Sequence, residues 1–287
     1  MSDRWSIYEE RSLSMCVEAT FDFIRENILT WLRLGGGLLL PVCVLLSLHV
    51  YSIDNDSFLY GYGWQEALTW SDTNHPLSHG LLLVIGLCAT MVLVYTLLLA
   101  QNAHALSRGL RALTPFVRKV FWRSLVSAVM LSALLWVCGG MSSWILVVLS
   151  IVLLVPLSLM PPVWMMEDVS WVKAVSKGMR LGFSSWFSLF FTILMVSVVG
   201  FVIILVVNVP WMGMQTVLNE LIPINEGSGG GLLFLRTSLF VFSVVAYFCC
   251  FMMVSLTLIS CVFHYGSVSE KDDDTSLESD IDHFDSL

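Results

Sequence analysis

Residues 80–100 read GLLLVIGLCATMVLVYTLLLA, an apolar run without a single charge. About 20 apolar residues in a helix cross the hydrocarbon core of a bilayer. A backbone in lipid must satisfy its amides within its own segment, so the run reads as a transmembrane helix. The period-two alternation of a transmembrane β-strand is absent. Outward from this run, further apolar stretches lie at about 34–51, 121–138, 143–166, 186–210 and 237–264. The one at 121–138 is the least apolar, because Arg123 and several serines interrupt it. Of the 287 residues, 57% are hydrophobic and 13% charged, and the mean hydropathy is +0.81. Soluble domains carry about 25% charged residues. The composition therefore excludes a soluble globular enzyme, a disordered chain and a secreted disulfide scaffold. Seven cysteines, an odd number and mostly inside apolar runs, read as small packing residues.

The cations set the expected orientation. Arg4, Arg11, Arg25 and Arg33 precede the first span. Arg108, Arg111, Arg118, Lys119 and Arg123 lie between the second and third, Lys173, Lys177 and Arg180 between the fourth and fifth, and Lys271 after the sixth. Of the 14 Lys and Arg, only Arg236 falls on the other set of connections. Positive residues stay on the cytoplasmic side. The sequence thus predicts an all-α polytopic membrane protein of six transmembrane helices with both ends inside. The expected parts are a cytoplasmic amphipathic segment at 1–33, a transmembrane domain at 34–265 and an acidic tail at 266–287. The first apolar run comes after Glu9, Glu10, Glu18, Asp22 and Glu26 and lacks a basic leader, so it reads as a retained span and not a signal peptide.

An amphipathic, cation-bearing stretch precedes each odd-numbered span. Leu13, Val17, Ile24, Ile28 and Trp31 share one face of the first, opposed by Glu18, Asp22 and Arg25. Leu106, Leu110, Leu113, Val117 and Val120 make the second stripe, opposed by Arg108, Arg111, Arg118 and Lys119. Val172, Val175, Met179 and Phe183 make the third, opposed by Lys173, Lys177 and Arg180. Such helices lie in the headgroup plane. Their basic side chains gain about 1 kcal/mol each near anionic lipid. Arg108, Arg111, Arg118, Lys119, Lys173, Lys177 and Arg180 are accordingly the expected anionic-lipid contacts. The repeated unit is either a triplicated hairpin or the layout that any membrane protein with basic inner loops acquires; Phe23-Ile24-Arg25 and Phe116-Val117-Arg118 match within it.

Pro41 in the first stretch and Pro156, Pro161 and Pro162 in or at the inner end of the fourth predict bends, with a discontinuous helix lining a substrate site as the alternative, and Pro210 is expected to end the fifth. Trp31, Trp64, Trp70, Trp122, Trp144, Trp164, Trp171, Trp186 and Trp211 read as interfacial anchors. No catalytic, cofactor or metal constellation emerges. His75 and His79 are four apart but separated by Pro76, with no third ligand at motif spacing. Asp54-Asn55-Asp56 opens like a calcium loop that Phe58 spoils. Gly227 to Gly231 lacks the Lys-Ser/Thr of a phosphate loop. Mid-span Asp, Glu, Lys and Arg, the mark of an ion-coupled carrier, are absent. From Glu270 onward, Asp272, Asp273, Asp274, Glu278, Asp280, Asp282 and Asp285 face only Lys271, so the tail is expected to be disordered. It is free to dock on a protein partner or on the chain's own basic helices.

The segment 156–190, PLSLMPPVWMMEDVSWVKAVSKGMRLGFSSWFSLF, carries a proline-bearing span end, then Glu167, Ser170, Ala174, Ser176, Leu181, Gly182 and Trp186. It resembles a group of bacterial six-span inner-membrane proteins that includes the family related to the membrane domain of glycerophosphoryl diester phosphodiesterases. The similarity of layout covers most of 10–265. The resemblance implies a bacterial cytoplasmic-membrane protein of envelope or membrane homeostasis. The phosphodiesterase's catalytic barrel would need a further soluble domain, so no enzymatic residue carries over. The expected function is non-enzymatic: a scaffold or partner subunit whose partners are the bilayer, anionic headgroups and a protein met through the acidic tail, with no nucleic acid and no cofactor. The rival is a permease-like transporter subunit, with Glu167, Ala174 and Gly178 on a coupling helix. A lipid-modifying enzyme would rest on His104 and Arg108 alone.

Overall fold

The apolar runs become helices, and the one at 80–100 is the most deeply buried of the candidate spans. A computed structural model of the chain describes residues 7–53, 76–102, 113–139, 144–167, 169–221 and 229–285. Of these residues 94% are helical, and none is in a strand. In chain order the helices are α1 (Leu13–Ile53), α2 (Pro76–Asn102), α3 (Thr114–Gly139), α4 (Trp144–Leu157), α5 (Met160–Met166), α6 (Trp171–Ser184), α7 (Trp186–Leu221) and α8 (Gly229–Asp285).

Within them, Leu13–His49, His79–Gln101, Val148–Met166, Trp186–Met214 and Thr237–Asp272 are long and apolar enough to cross a bilayer. The chain is a multi-pass membrane protein of at least that helical content. The stretch expected at 121–138 is a helix, α3, but it is not one of the five. Arg118, Lys119, Arg123, Ser124 and Ser127 in its first half dilute its apolarity.

In α2, 61% of the apolar stretch is buried inside the bundle, against 17% in α7. Met91 to Leu98 of α2 pack with Leu39, Cys43 and Leu46 of α1 and with Ile259, Val262 and Phe263 of α8. Helix α7 touches the bundle through Thr192, Val196 and Gly200, while Phe187, Phe191, Phe201 and Val206 project outward. So large an apolar face is compatible with lipid and not with water. Interhelical hydrogen bonds pin α1 to α8. The Trp31 indole donates to Ser255 Oγ at 3.0 Å, and the hydroxyls of Ser47 and Ser243 lie 3.1 Å apart.

Several boundaries differ from those read in the sequence. No break separates 1–33 from the first apolar run, because α1 is one 41-residue helix. At 1.5 Å per residue it is about 60 Å long, twice the roughly 30 Å of hydrocarbon. Its buried side is Cys16, Thr20, Phe23, Ile24 and Trp31, and Ile28 of the expected stripe is exposed. The second amphipathic stretch is likewise continuous with α3 from Thr114 onward; residues 103–112 lie outside the described residues. Nor does 266 mark a break, since the backbone of α8 stays helical to Asp285 where disorder was expected. The reason is packing at its start, where Ser267 and Ser269 are buried. Pro210 lies inside α7 and does not end it. Trp31, Trp164 and Trp211 are buried packing residues, whereas Trp122 and Trp171 are exposed.

The prolines of the fourth stretch do more than bend it. Ser158 and Leu159 form a turn between α4 and α5. There the Ser158 and Leu159 amides bond back to Leu154 and Pro156 carbonyls at 3.0 and 3.2 Å. Pro161 and Pro162 then open α5, where a missing N–H costs least. The fourth stretch, still one crossing at Val148–Met166, is thus interrupted by a two-residue turn at its prolines.

Candidate functional site

The residues with the most chemistry gather at one end of the bundle. Four elements supply them: the segment before α1, the end of α5, all of α6 and the stretch of α8 around Tyr265. Two glycines explain how α6 docks there. A Cβ on Gly182 would lie 2.4 Å from Pro156 Cα, and one on Gly178 would lie 3.0 Å from Met160 Cα. Small residues thus let the backbone of α6 settle directly onto the α4–α5 break.

Successive residues of a helix turn by about 100°. Ala174, Gly178, Leu181 and Gly182 therefore form one face, and all four are buried. Val172, Val175, Met179 and Phe183 form a second face about 120° away. Of these, Val172 and Phe183 are 67% and 50% exposed. Lys173, Lys177 and Arg180 form the third. The outer apolar and basic faces are those expected from the sequence. The small-residue face was missed, and it is the one that holds the helix to the protein.

The basic face is not uniform. Lys177 Nζ lies 2.6 Å from Glu167 Oε1, with side chains only 30% and 22% exposed. The Tyr265 hydroxyl donates to the same carboxylate oxygen, and the Tyr265 ring is fully buried. Arg180 Nη2 lies 2.7 Å from Asp272 Oδ2, and that pair is open to the surroundings at 66% and 40%. Lys173 is exposed. Of the other expected lipid contacts, Arg118 and Lys119 are exposed near the start of α3, and Arg108 and Arg111 lie outside the described residues. Arg123 is turned inward: its Nη1 donates to the Trp164 carbonyl at 2.6 Å, and the guanidinium lies over the Trp164 ring at 5.9 Å. It caps carbonyls that α5 leaves unpaired at its end.

The segment before α1 closes the cluster. The Arg11 amide donates to Ser267 Oγ at 2.9 Å, the Ser267 hydroxyl donates to the Arg11 carbonyl at 3.0 Å, and the Arg11 guanidinium lies 5.4 Å from the Phe263 ring centre. Gly266 faces Ile7 so closely that a Cβ would meet the Ile7 carbonyl oxygen at 1.9 Å. Only glycine fits.

One pair has the composition of a nucleophile and its base. His264 Nε2 is 3.2 Å from Ser185 Oγ. The Ser185 hydroxyl, however, donates to the Leu181 carbonyl at 2.9 Å. Activation needs that proton directed at the imidazole. The pair fastens the end of α6 to α8. At the opposite end of the bundle the rings of His49 and His79 stack at 6.0 Å; His75, His104 and the 54–75 connection lie outside the described residues. No group of three His, Cys, Asp or Glu able to hold a metal occurs among the described residues.

Tyr265, Ser185 and His264 entered no motif, because their partners lie 79 and 98 residues away in the chain. Glu167, Ala174, Leu181, Gly182 and Trp186 were quoted for a resemblance and turn out to hold the break together. Trp186 Nε1, for instance, donates to the Val152 carbonyl at 3.2 Å. No family model matches this sequence, and no curated protein or solved structure matches it either.

Proposed function

We propose that the chain is a non-enzymatic scaffold or partner subunit of a bacterial inner membrane, acting in envelope or membrane homeostasis and gripping the anionic inner leaflet through its basic end. The observation that carries this reading is the three-faced helix α6. It is anchored on the protein by one face and offers an apolar face, with Trp171 and Phe187 beside it, and a basic face to whatever surrounds it. That division suits a helix lying at a headgroup boundary. Helix α3 serves as a sixth crossing. Arg123 near its start meets the end of α5, and the segment before α1 meets α8 through Arg11 and Ser267. The concentration of cations there favours the cytoplasm. The likeness of 156–190 to the six-span group points the same way.

The test is the lipid that the protein keeps. After extraction from a membrane of mixed phosphatidylglycerol and phosphatidylethanolamine, the native chain retains an excess of phosphatidylglycerol. Replacing Lys173, Arg118 and Lys119 together by Gln removes most of that excess. Equal retention by native and triple variant overturns the lipid reading. A purified protein that always runs alone, with a deletion that disturbs no envelope property, overturns the scaffold reading. Reporters fused after Leu287 and near Arg108 read out on the same side if the orientation is right.

A permease-like subunit remains the second reading, because the α4–α5 break resembles the discontinuous helices that line transport sites. Its coupling-helix form is weakened by Ala174 and Gly178, which are buried on the docked face of α6 and offer no contact to an ATPase. ATPase activity that copurifies with the protein would restore it.

A further inference from the structure

The three cations of α6 stand in three different states. Lys177 is committed: it shares a half-buried carboxylate with Tyr265. Lys173 is exposed and needs no release. Arg180 is held by Asp272, on a pair that both water and headgroups can reach. Asp272 is the third of the eighteen residues 270–287, a stretch in which Glu270, Asp272, Asp273, Asp274, Glu278, Asp280, Asp282 and Asp285 oppose Lys271. Helix α6 itself has no acid among its residues. The α8 extension is thus a carboxylate-rich arm of the same chain, tied to the basic face at the exposed Arg180.

We infer that this arm is an internal substitute for anionic headgroups. Asp272 occupies Arg180 while the adjoining leaflet is neutral, and lipid phosphate displaces it when the leaflet is anionic. This inference rests on α6 being an anionic-lipid contact. The magnitudes allow the exchange, because an exposed ion pair and a basic side chain beside an anionic leaflet are stabilised by similar small free energies. Neither state is locked, and local lipid charge decides. A phosphate oxygen and a carboxylate oxygen present the same acceptor to the guanidinium fork. The displaced arm then carries its negative charge away from the membrane, free for a basic protein surface. The chain would thereby report leaflet charge as the position of its own acidic end.

Amide hydrogen exchange on the full chain in lipid nanodiscs tests this. In phosphatidylcholine discs at low salt, amides of 268–285 exchange slowly. In phosphatidylglycerol discs they exchange at least threefold faster. Asp272→Asn in phosphatidylcholine gives the fast pattern, and so does high salt with the native chain. Arg180→Asp combined with Asp272→Arg regains slow exchange in phosphatidylcholine. Exchange that is the same in both lipids, or that Asp272→Asn leaves slow, overturns the inference. Lipid extracted from the same discs separates this failure from that of the parent reading. Retained phosphatidylglycerol with unchanged exchange removes only the arm, whereas loss of lipid preference removes both.

Discussion

Residues 13–33 and 171–184 share a pattern, charge on one side and apolar residues on another, directly before a hydrophobic run. They end in different structures. The first is fused to its span as one 41-residue helix, and the second is a separate 14-residue helix closed by Ser185. Amphipathicity alone therefore does not decide whether a helix lies flat or continues upward. What decides is the joint. From Trp31 to Pro41 the chain has three glycines and a single proline, and α1 runs through them, because glycine weakens a helix without stopping it and one proline can be taken up as a bend. Around α6, Pro156, Pro161 and Pro162 break the preceding helix, and Glu167 caps α5 with extended backbone. The Ser185 and Leu181 pairing then closes the far end.

The difference between the two regions can be broken at its joint. Gly36→Pro removes a backbone donor within α1 and clashes with the preceding turn, at a cost of about 3 kcal/mol or more. It should convert α1 into two helices and give the largest drop in thermal midpoint in detergent, ahead of Gly182→Leu and Glu167→Ala. Gly182→Leu attacks the other side. Its Cβ would sit 2.4 Å from Pro156 Cα, and the partner is backbone, so nothing can move aside cheaply. Overpacking of this kind costs about 1–3 kcal/mol, and protease cleavage near 168–170 should rise as α6 lifts.

Glu167→Ala sharpens the contrast by leaving both docked helices whole and removing one of the ties between α6 and α8. Lys177 and the Tyr265 hydroxyl lose a shared acceptor, with an expected loss of about 1–3 kcal/mol. Glu167→Gln, which keeps an acceptor oxygen for Tyr265, should lose less, and chemical denaturation of the pair orders them. The smallest effect has the opposite sign. Gly37→Ala meets open space and replaces the poorest helix former short of proline by the best, so α1 should gain about 0.5–1 kcal/mol. Destabilisation by this variant would mean that the glycine run is a working hinge.

The apolar runs were legible because lipid imposes length and composition on any helix that crosses it. The bounds of α6 were nearly legible too, since Lys173, Lys177 and Arg180 recur at helical spacing. Its docking face was not. Ala174, Gly178 and Gly182 have almost no hydropathy, and their role is to let a backbone approach, which no periodicity of apolar residues records. The polar cluster was out of reach for another reason. Glu167 finds Tyr265, and Arg11 finds Ser267, only once the whole bundle has assembled. The acidic run was read through its self-repulsion, but Ser267 and Ser269 pack in the same helix just before it, and a helix seeded by packing propagates more readily than it starts.

The clasp between Arg11 and Ser267 spans 256 positions of sequence. A ribosome feeding this chain into a translocon releases Ile7 long before Gly266 exists. Residues 7–12 must therefore wait, unseated, until α8 has been made. A nascent chain stalled before residue 266 should leave residues 7–12 open to proteases, so cleavage there reads out whether this part of α8 has docked.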